Sequence, residues 1–395
     1  MSSAAKRQER QQQLDALPVS YLESCTEEDN KILDLSLREL VQRHEAGTLS
    51  RSAILEAYGK KVVSAQKATN CIAAVTLRPS TISRPPESPT RSDAKLATHE
   101  RTNLLAGVPV SIKDCIDIEG YDTTMGYSSR VNKPASSSAS IVRLLQDAGA
   151  IIHAKTATPP GLVALETCSD LFGRTSNPYN AKFVSGASTG GGAALLASRG
   201  SLIEISSDIG GSVRWPAHCC GIYGMRSTIG RFPTLGVWPP LPGQEFVGTS
   251  TSPMARRLDD LEEFWKRVVE MRPWNYDHTV SSGLLVKRHD PITGAHGSVF
   301  HYHGGQLIFR AKNYDGGSYG TTVGSSRSSL SSGVIYLFLV GIVPPSPACR
   351  RALEWVTDSL VKEGHEVVNL WVFRRHPFPR TDTDVETFPA HHHLL

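Results

Sequence analysis

Long apolar segments and a strong net charge are both missing from this sequence of 395 residues. The longest apolar run, Val334 to Val340, is too short to cross a bilayer, and residues 1–20 contain no apolar core of signal-peptide length. A net charge of +4 is small for this length, so neither nucleic acid nor an anionic membrane is indicated as a partner. We therefore expect a cytoplasmic globular protein with no membrane span.

Paired cysteines and a phosphate-binding lysine are also missing. The seven cysteines show no CxxC spacing, which argues against a disulfide framework and against a zinc site, so each is expected to be a small buried apolar residue. The Gly-rich stretch from Ser185 to Ala197 has the look of a phosphate loop at a helix N-terminus, but the lysine of a Walker loop is not there. Nucleotide binding is therefore not expected.

Apolar spacing predicts an α/β fold after a helical start. Helical periodicity covers residues 37–62, where Ser50 can cap the second of two helices. A strand at 108–112, an amphipathic helix at 138–148 and a strand at 150–154 then follow one another. This order favours a mostly parallel sheet between layers of helices.

Three polar residues fit one chemistry, although each has an ordinary interpretation alone. Lys113 follows a strand, as solvated lysines often do, while Ser188 and Ser212 lie in Gly-rich turns. A serine needs a base to become a nucleophile, and no histidine lies in a recognisable triad, although His218 is near Ser212 in sequence. A buried neutral lysine can serve instead, with Ser188 relaying the proton. The N–H groups from Ile209 to Ser212 would then form an oxyanion hole.

Five motifs resemble the amidase signature hydrolases, and in particular their fungal amidase or acetamidase branch. They are AGVPVSIKDCIDIEGYDTTMG (Ala106–Gly126), CSDLFGRTSNPYN (Cys168–Asn180), SGASTGGGAALLA (Ser185–Ala197), SSDIGGSVRWPAHCCGIYG (Ser206–Gly224) and GRFPTLGVWPPLPGQE (Gly230–Glu245). The resemblance implies a triad of Lys113, Ser188 on a cis peptide bond and the nucleophile Ser212. It also implies substrate binding by Ser188 and by the turn Ile209, Gly210, Gly211 and Ser212, with Leu162 as a further substrate contact.

The resemblance implies hydrolysis of a small or aryl carboxylic amide through an acyl-enzyme, without a metal or organic cofactor. A homodimer is one assembly left open. Two other functions are also open: an inactive relic of such an enzyme, and an amidotransferase subunit that receives ammonia from a partner. The match of Gly230–Glu245 to fungal amidases speaks against the amidotransferase.

The chain departs from the family pattern beside the predicted triad and towards its C-terminus. Ala187 and Ser206 stand where the family has glycine, and Gly192 stands where fungal members commonly carry an acidic residue. The pattern stops after Tyr276, so we expect a mixed β-sheet flanked by α-helices whose C-terminal part is truncated or altered. The predicted regions are helices at 1–77, an exposed Pro/Ser-rich loop at 78–98, the catalytic core at 99–280, a disordered Gly/Ser-rich insertion at 281–333, a residual helix and strand at 334–371, and a disordered tail at 372–395.

Overall fold

The computed structural model describes residues 3–77, 103–243 and 247–281, and beyond these only isolated helical and strand residues between 288 and 387. The chain forms two compact units, Met1–Leu284 and Leu285–Leu395. The predicted loop at 78–98, most of the predicted insertion and most of the predicted tail lie outside the described residues. In the described part of the chain, no helix is both long and apolar enough to cross a membrane.

The first unit begins with four helices, and the side chain of the preceding residue caps the last three of them. They are α1 (Ser3–Asp15), α2 (Glu27–Asp34), α3 (Leu37–Glu45) and α4 (Arg51–Thr69), with a 3-10 turn at Val19–Leu22. Thr26 and Ser36 form capping boxes with Asp29 and Glu39, and Ser50 accepts a hydrogen bond from the Ala53 amide. Such caps satisfy backbone donors that a helix start otherwise leaves unpaired. The predicted cap at Ser50 is confirmed.

Six strands form the main sheet of this unit: β1 (Ile72–Val75), β2 (Pro109–Lys113), β3 (Ile151–Thr156), β6 (Ile203–Asp208), β7 (Tyr223–Gly224) and β8 (Ser250–Ala255). Their order across the sheet is β1-β3-β2-β6-β8-β7. The three central strands β3, β2 and β6 are parallel, whereas the pairs β1–β3, β6–β8 and β7–β8 are antiparallel. The predicted mixed sheet is therefore confirmed. Two further strands, β4 (Cys168–Ser169) and β5 (Gly173–Arg174), pair with each other.

Helices cover this sheet, as predicted. They are α5 (Ser140–Asp147), α6 (Gly190–Ala197), α7 (Arg214–Cys220) and α8 (Leu258–Glu270), with 3-10 turns at Ser128–Arg130, Pro160–Leu162 and Pro273–Asn275. The helix α6 contacts β2, β6 and α7, and its apolar side chains join those of α7 and β8 in one buried cluster that includes Leu196, Val213 and Met254. This cluster fixes the helices that follow the two Gly-rich turns.

In the second unit, the described residues form short strands. The strands β9 (Arg288–His289) and β10 (His296–Gly297) pair with each other, and β11 (Val334–Gly341), β12 (Glu366–Arg374) and β13 (Val385–Thr387) form a sheet in which β11 and β12 are parallel. Residues 354–355, 357–359 and 361–362 are helical. The strand β12 extends past the end of the predicted helix and strand region at 371, and β13 falls in the predicted tail.

The expectation that every cysteine is buried is wrong. Cys71, Cys115 and Cys220 are buried, but Cys168 is exposed and Cys25 and Cys219 are partly exposed. Cys168 lies on β4, a two-residue strand outside the main sheet, so its side chain is not enclosed by a second layer.

Candidate active site

Lys113 lies inside the protein, at the C-terminal end of the central strand β2. The sequence predicted it just past this strand, whereas it is the last strand residue and is fully buried. Its Nζ atom lies 2.8 Å from Ser188 Oγ and donates to the carbonyl oxygen and the hydroxyl of Ser207 at 3.0 and 3.1 Å. Burial lowers the pKa of Lys113, against the opposing charges of Cys115, Asp208 and Glu204. A neutral amine is therefore accessible at this position.

Ser188 reaches Lys113 from the turn that precedes α6. The peptide bond between Ala187 and Ser188 is cis, as the resemblance implied, and the Ser188 side chain is buried. Gly186, in the same turn, has φ +81°, and a Cβ there would lie 2.6 Å from Pro216 Cα on α7. The turn that carries Ser188 is therefore in direct contact with the helix that follows Ser212.

Ser212 lies in the turn between β6 and α7 and is partly exposed, unlike Ser188 and Lys113. Within the described residues, its hydroxyl makes no hydrogen bond to Ser188 or to any other group. Lys113 and Ser188 are thus joined by a hydrogen bond, and Ser212 directly precedes the helix that the Ser188 turn contacts. Hydrogen bonds between catalytic groups are often long without substrate and tighten when it binds.

Asp208, the last residue of β6, holds the Ser212 turn. Its carboxylate accepts from the Gly211 and Val213 amides at 2.8 and 3.0 Å and from Arg214 Nε and Nη2 at 3.1 and 2.9 Å. Burial acts to raise the pKa of Asp208, but the Arg214 guanidinium and the two amides outweigh it and hold the pKa below its usual range. Because the Gly211 N–H is engaged here, Ile209, Gly210 and Ser212 remain as the candidate oxyanion donors.

Leu162 ends the 3-10 turn Pro160–Leu162 and is buried, with φ +63°. The loop that follows it is connected to α7, because the Trp215 indole N–H donates to the Leu165 carbonyl at 3.0 Å. The role of Leu162 as a substrate contact stays a prediction.

Two histidines near these elements, His218 and His153, contact other groups. His218 is exposed on α7, with its ring stacked on Trp215 at 6.0 Å between centroids. His153 is buried in β3, and its Nε2 lies 2.9 Å from the Gly200 carbonyl oxygen. Among the residues that the structure describes, no cluster of three or more His, Cys, Asp or Glu side chains could hold a metal ion.

Two polar residues of the site were not singled out from the sequence. Ser207 supplies two of the three Lys113 contacts, and Asp208 fixes the backbone on both sides of Ser212. The only sequence signal for Asp208 is a charged residue directly after a buried strand and before Gly-Gly. Ser207 had no signal, because its contact depends on the pairing of β2 with β6.

Comparisons with known proteins agree on one family. A family profile described as Amidase matches residues 53–291. The acetamidase of Emericella nidulans is 31% identical over 354 residues, which cover 89% of this chain and 58% of that protein. Fatty-acid amide hydrolase 1 of Sus scrofa is 32% identical over 264 residues, which cover 66% of this chain and 43% of that protein.

Solved structures show the same fold. A fatty acid amide hydrolase superposes with a TM-score of 0.64 at 26% identity, covering 93% of this chain and 57% of that chain. A 6-aminohexanoate cyclic dimer hydrolase complexed with substrate gives a TM-score of 0.56 at 22% identity, covering 85% and 60%. The chain thus spans little more than half the length of most of these relatives.

Proposed function

Because this chain belongs to the amidase signature family, we propose that it hydrolyses a carboxylic acid amide to the acid and ammonia or an amine. Lys113, Ser188 and Ser212 form the proposed triad. The observation that carries the proposal is the buried contact of 2.8 Å between Lys113 Nζ and Ser188 Oγ. The turn that holds Ser188 also contacts the helix that follows Ser212, a partly exposed serine after Gly-Gly.

The contacts of Lys113 suit a neutral amine. Such an amine has two N–H donors and one lone pair. In the neutral state, two donors serve the Ser207 carbonyl and hydroxyl oxygens, and the 2.8 Å contact, in which a protonated Nζ would donate, is the one in which the lone pair would accept the Ser188 hydroxyl proton. The lowered pKa of Lys113, which follows from its burial, favours this state. The base and the relay are thereby ready before substrate binds.

The reaction follows from this arrangement. Ser188 takes the proton of the Ser212 hydroxyl while its own proton passes to Lys113, and Ser212 Oγ attacks the amide carbonyl carbon. Backbone N–H groups among Ile209, Gly210 and Ser212 stabilise the oxyanion. The proton returns through Ser188 to the amide nitrogen, the C–N bond breaks, and ammonia or an amine leaves. Water then attacks the acyl ester through the same relay, releases the acid and restores Ser212.

The substrate class is proposed from the relatives' names and from the surroundings of Ser212. One relative is called an acetamidase and another a fatty-acid amide hydrolase, so the acyl group is the variable part. Leu162 is proposed as an apolar contact for that group, and Ile209 to Ser212 as the contacts of the reacting carbonyl. A small or aryl carboxylic amide fits this setting.

The test combines a covalent probe with an amide assay. A fluorophosphonate should label the wild-type protein at Ser212, and acetamide or benzamide should release ammonia. Ser212→Ala should remove both signals, because the acyl-enzyme cannot form. Ser206→Ala is a matched control, since Ser206 is a buried serine of the preceding strand and is outside the proposed triad. Labelling that survives in Ser212→Ala would overturn the assignment, and a folded wild-type protein without either signal would indicate an inactive relic.

A further inference from the structure

The first turn of α6 contains three glycines, and each lies against a different neighbour. A Cβ on Gly190 would overlap Thr167 and Ser185, and one on Gly191 would overlap the backbone of Ala157 and Cys71. A Cβ on Gly192 would overlap the Glu204 carboxyl and would lie 2.7 Å from Glu204 Cγ. The side chain of Glu204, from strand β6, therefore occupies the space that a side chain on Gly192 would need.

The Glu204 carboxyl joins the three parallel strands beneath this helix. It is fully buried on β6, and it accepts hydrogen bonds from the Ser111 hydroxyl of β2 and, at 2.7 Å, from the Thr156 hydroxyl of β3. A buried carboxyl that lost these partners would carry a large desolvation cost. The carboxyl thus cannot move aside to admit a side chain at position 192 without breaking these bonds.

The same carboxyl lies between the two segments that meet at the triad. Ser111 is two residues before Lys113 on β2, and Gly192 is four residues after Ser188. The helix α6 contacts both β2 and β6. Displacement of the Glu204 side chain would therefore shift the helix start against the strand, and with it the 2.8 Å spacing between Ser188 Oγ and Lys113 Nζ.

We propose that Glu204 is a positioning residue for the Lys113–Ser188 pair, because its side chain fills, from strand β6, the space that a side chain at position 192 of helix α6 would occupy. The inference rests on the proposed function, because it concerns the geometry of the proposed base and relay. The resemblance to fungal amidases implies an acidic residue at position 192, and the overlap with Glu204 is a physical reason for the glycine found here.

Charged and titratable groups around Glu204 add an electrostatic consequence. Burial raises the pKa of Glu204 to about 7, against the Ser111 and Thr156 hydroxyls and the charge of Lys113, which lower it. The ionised carboxyl in turn acts to raise the pKa of Lys113, as do Asp208 and Cys115. The Glu204 charge also acts to raise the pKa of the Cys71 thiol. The carboxyl that positions the pair is therefore also coupled to the base.

Exchanging the two residues tests the inference directly. Gly192→Glu alone should overfill the space, and Glu204→Gly alone should empty it, so each should lower Tm and slow fluorophosphonate labelling of Ser212 by about tenfold to a hundredfold through misplacement of the relay. The double variant Gly192→Glu/Glu204→Gly should recover most of both losses. Glu204→Gln keeps the shape of the side chain, so the probe should label this variant at a rate within about threefold of wild type. In amide hydrolysis, Gly192→Glu and Glu204→Gly should lower kcat and leave KM unchanged.

A neighbouring glycine supplies the matched control. The new Cβ of Gly191→Ala would meet backbone atoms and not Glu204. This substitution should therefore lower Tm by the same amount in the wild-type protein and in Glu204→Gly. Additive losses in the Gly192/Glu204 double variant, or wild-type labelling in both single variants, would overturn the inference.

Failure of the proposed function would look different. A folded wild-type protein that neither reacts with the probe nor hydrolyses amides would refute that function alone. The inference would then be decided by the Lys113 Nζ to Ser188 Oγ spacing in crystal structures of Glu204→Gly and of the double variant. A spacing that is unchanged in Glu204→Gly would overturn it.

Discussion

Replacing Asp208 by asparagine should loosen the Ser212 turn, between β6 and α7, and destabilise the protein. The fully buried carboxylate accepts five hydrogen bonds, three from the amides of Gly211, Val213 and Arg214 and two from the Arg214 guanidinium. Asparagine offers one acceptor oxygen and turns an NH₂ group towards the remaining donors. At least one backbone amide and the Arg214 guanidinium then lose a charged partner.

The size of the effect follows from these bonds. Hydrogen bonds to charged groups contribute about 1.5 to 3 kcal/mol each, and breaking a buried ion pair costs about 3 to 5 kcal/mol. The Arg214 side chain is 30% exposed and can turn to water, which discounts its share. We therefore expect the free energy of unfolding to fall by about 3 kcal/mol at neutral pH.

The pH dependence has a definite sign. Because the folded-state pKa of Asp208 is depressed, its stabilisation is complete above the unfolded pKa of about 3.9 and is lost as pH falls through the lower folded value. The gap between wild type and Asp208→Asn should thus be constant near neutral pH and narrow below about pH 4.

Urea unfolding at several pH values, with fluorophosphonate labelling of Ser212 at pH 7, measures both consequences. Labelling should slow by at least about tenfold, because the turn that orients Ser212 loses its anchor. Asp170→Asn is the matched control, since Asp170 is exposed and no described donor contacts its carboxylate. Wild-type stability and labelling in Asp208→Asn would refute the role of Asp208.

Two further predictions concern the same elements. Lys113→Arg keeps a charge that is not lost at working pH and should lower kcat by about 10²- to 10⁴-fold. The activity of the wild type should rise as the pH passes through the lowered pKa of Lys113. Full activity in the arginine variant would exclude the role of Lys113 as the base. Gly186→Ala should lower Tm more than Gly120→Ala. Both glycines have φ near +80°, but a Cβ would overlap Pro216 only at Gly186. Equal losses of Tm in calorimetry would show that the structure relieves this overlap.

Much of the site was predictable because it lies in continuous motifs. Lys113, Ser188 and Ser212 each follow a strand or a Gly-rich turn that the sequence makes visible, and the structure joins the first two. The partners of these residues were not predictable in the same way. Ser207 contacts Lys113 across 94 positions of sequence, and such a contact is set by strand register and not by any local pattern.

Glu204 shows a second limit of the sequence. In Leu202–Ile205 it reads as a single charge in an apolar strand, and a charge in that position normally points to solvent. The strand is instead buried along its whole length, and the charge is accommodated by hydroxyls of the adjacent strand β2 and of β3 beyond it. The glycine that makes room for it, Gly192, lies on a helix, so the pair emerges only when helix and sheet are packed together.

The two buried carboxyls of β6 have different partners, so their pKa values shift in opposite directions. Both are buried, but Asp208 faces a guanidinium and backbone amides, which keep it ionised, whereas Glu204 faces hydroxyls, and burial raises its pKa to about 7. Protonation of Glu204 removes one of the charges that raise the pKa of Lys113, whereas Asp208 stays ionised and is paired with Arg214. The neutral lysine that the proposed reaction needs thus depends on how each carboxyl of the neighbouring strand is partnered.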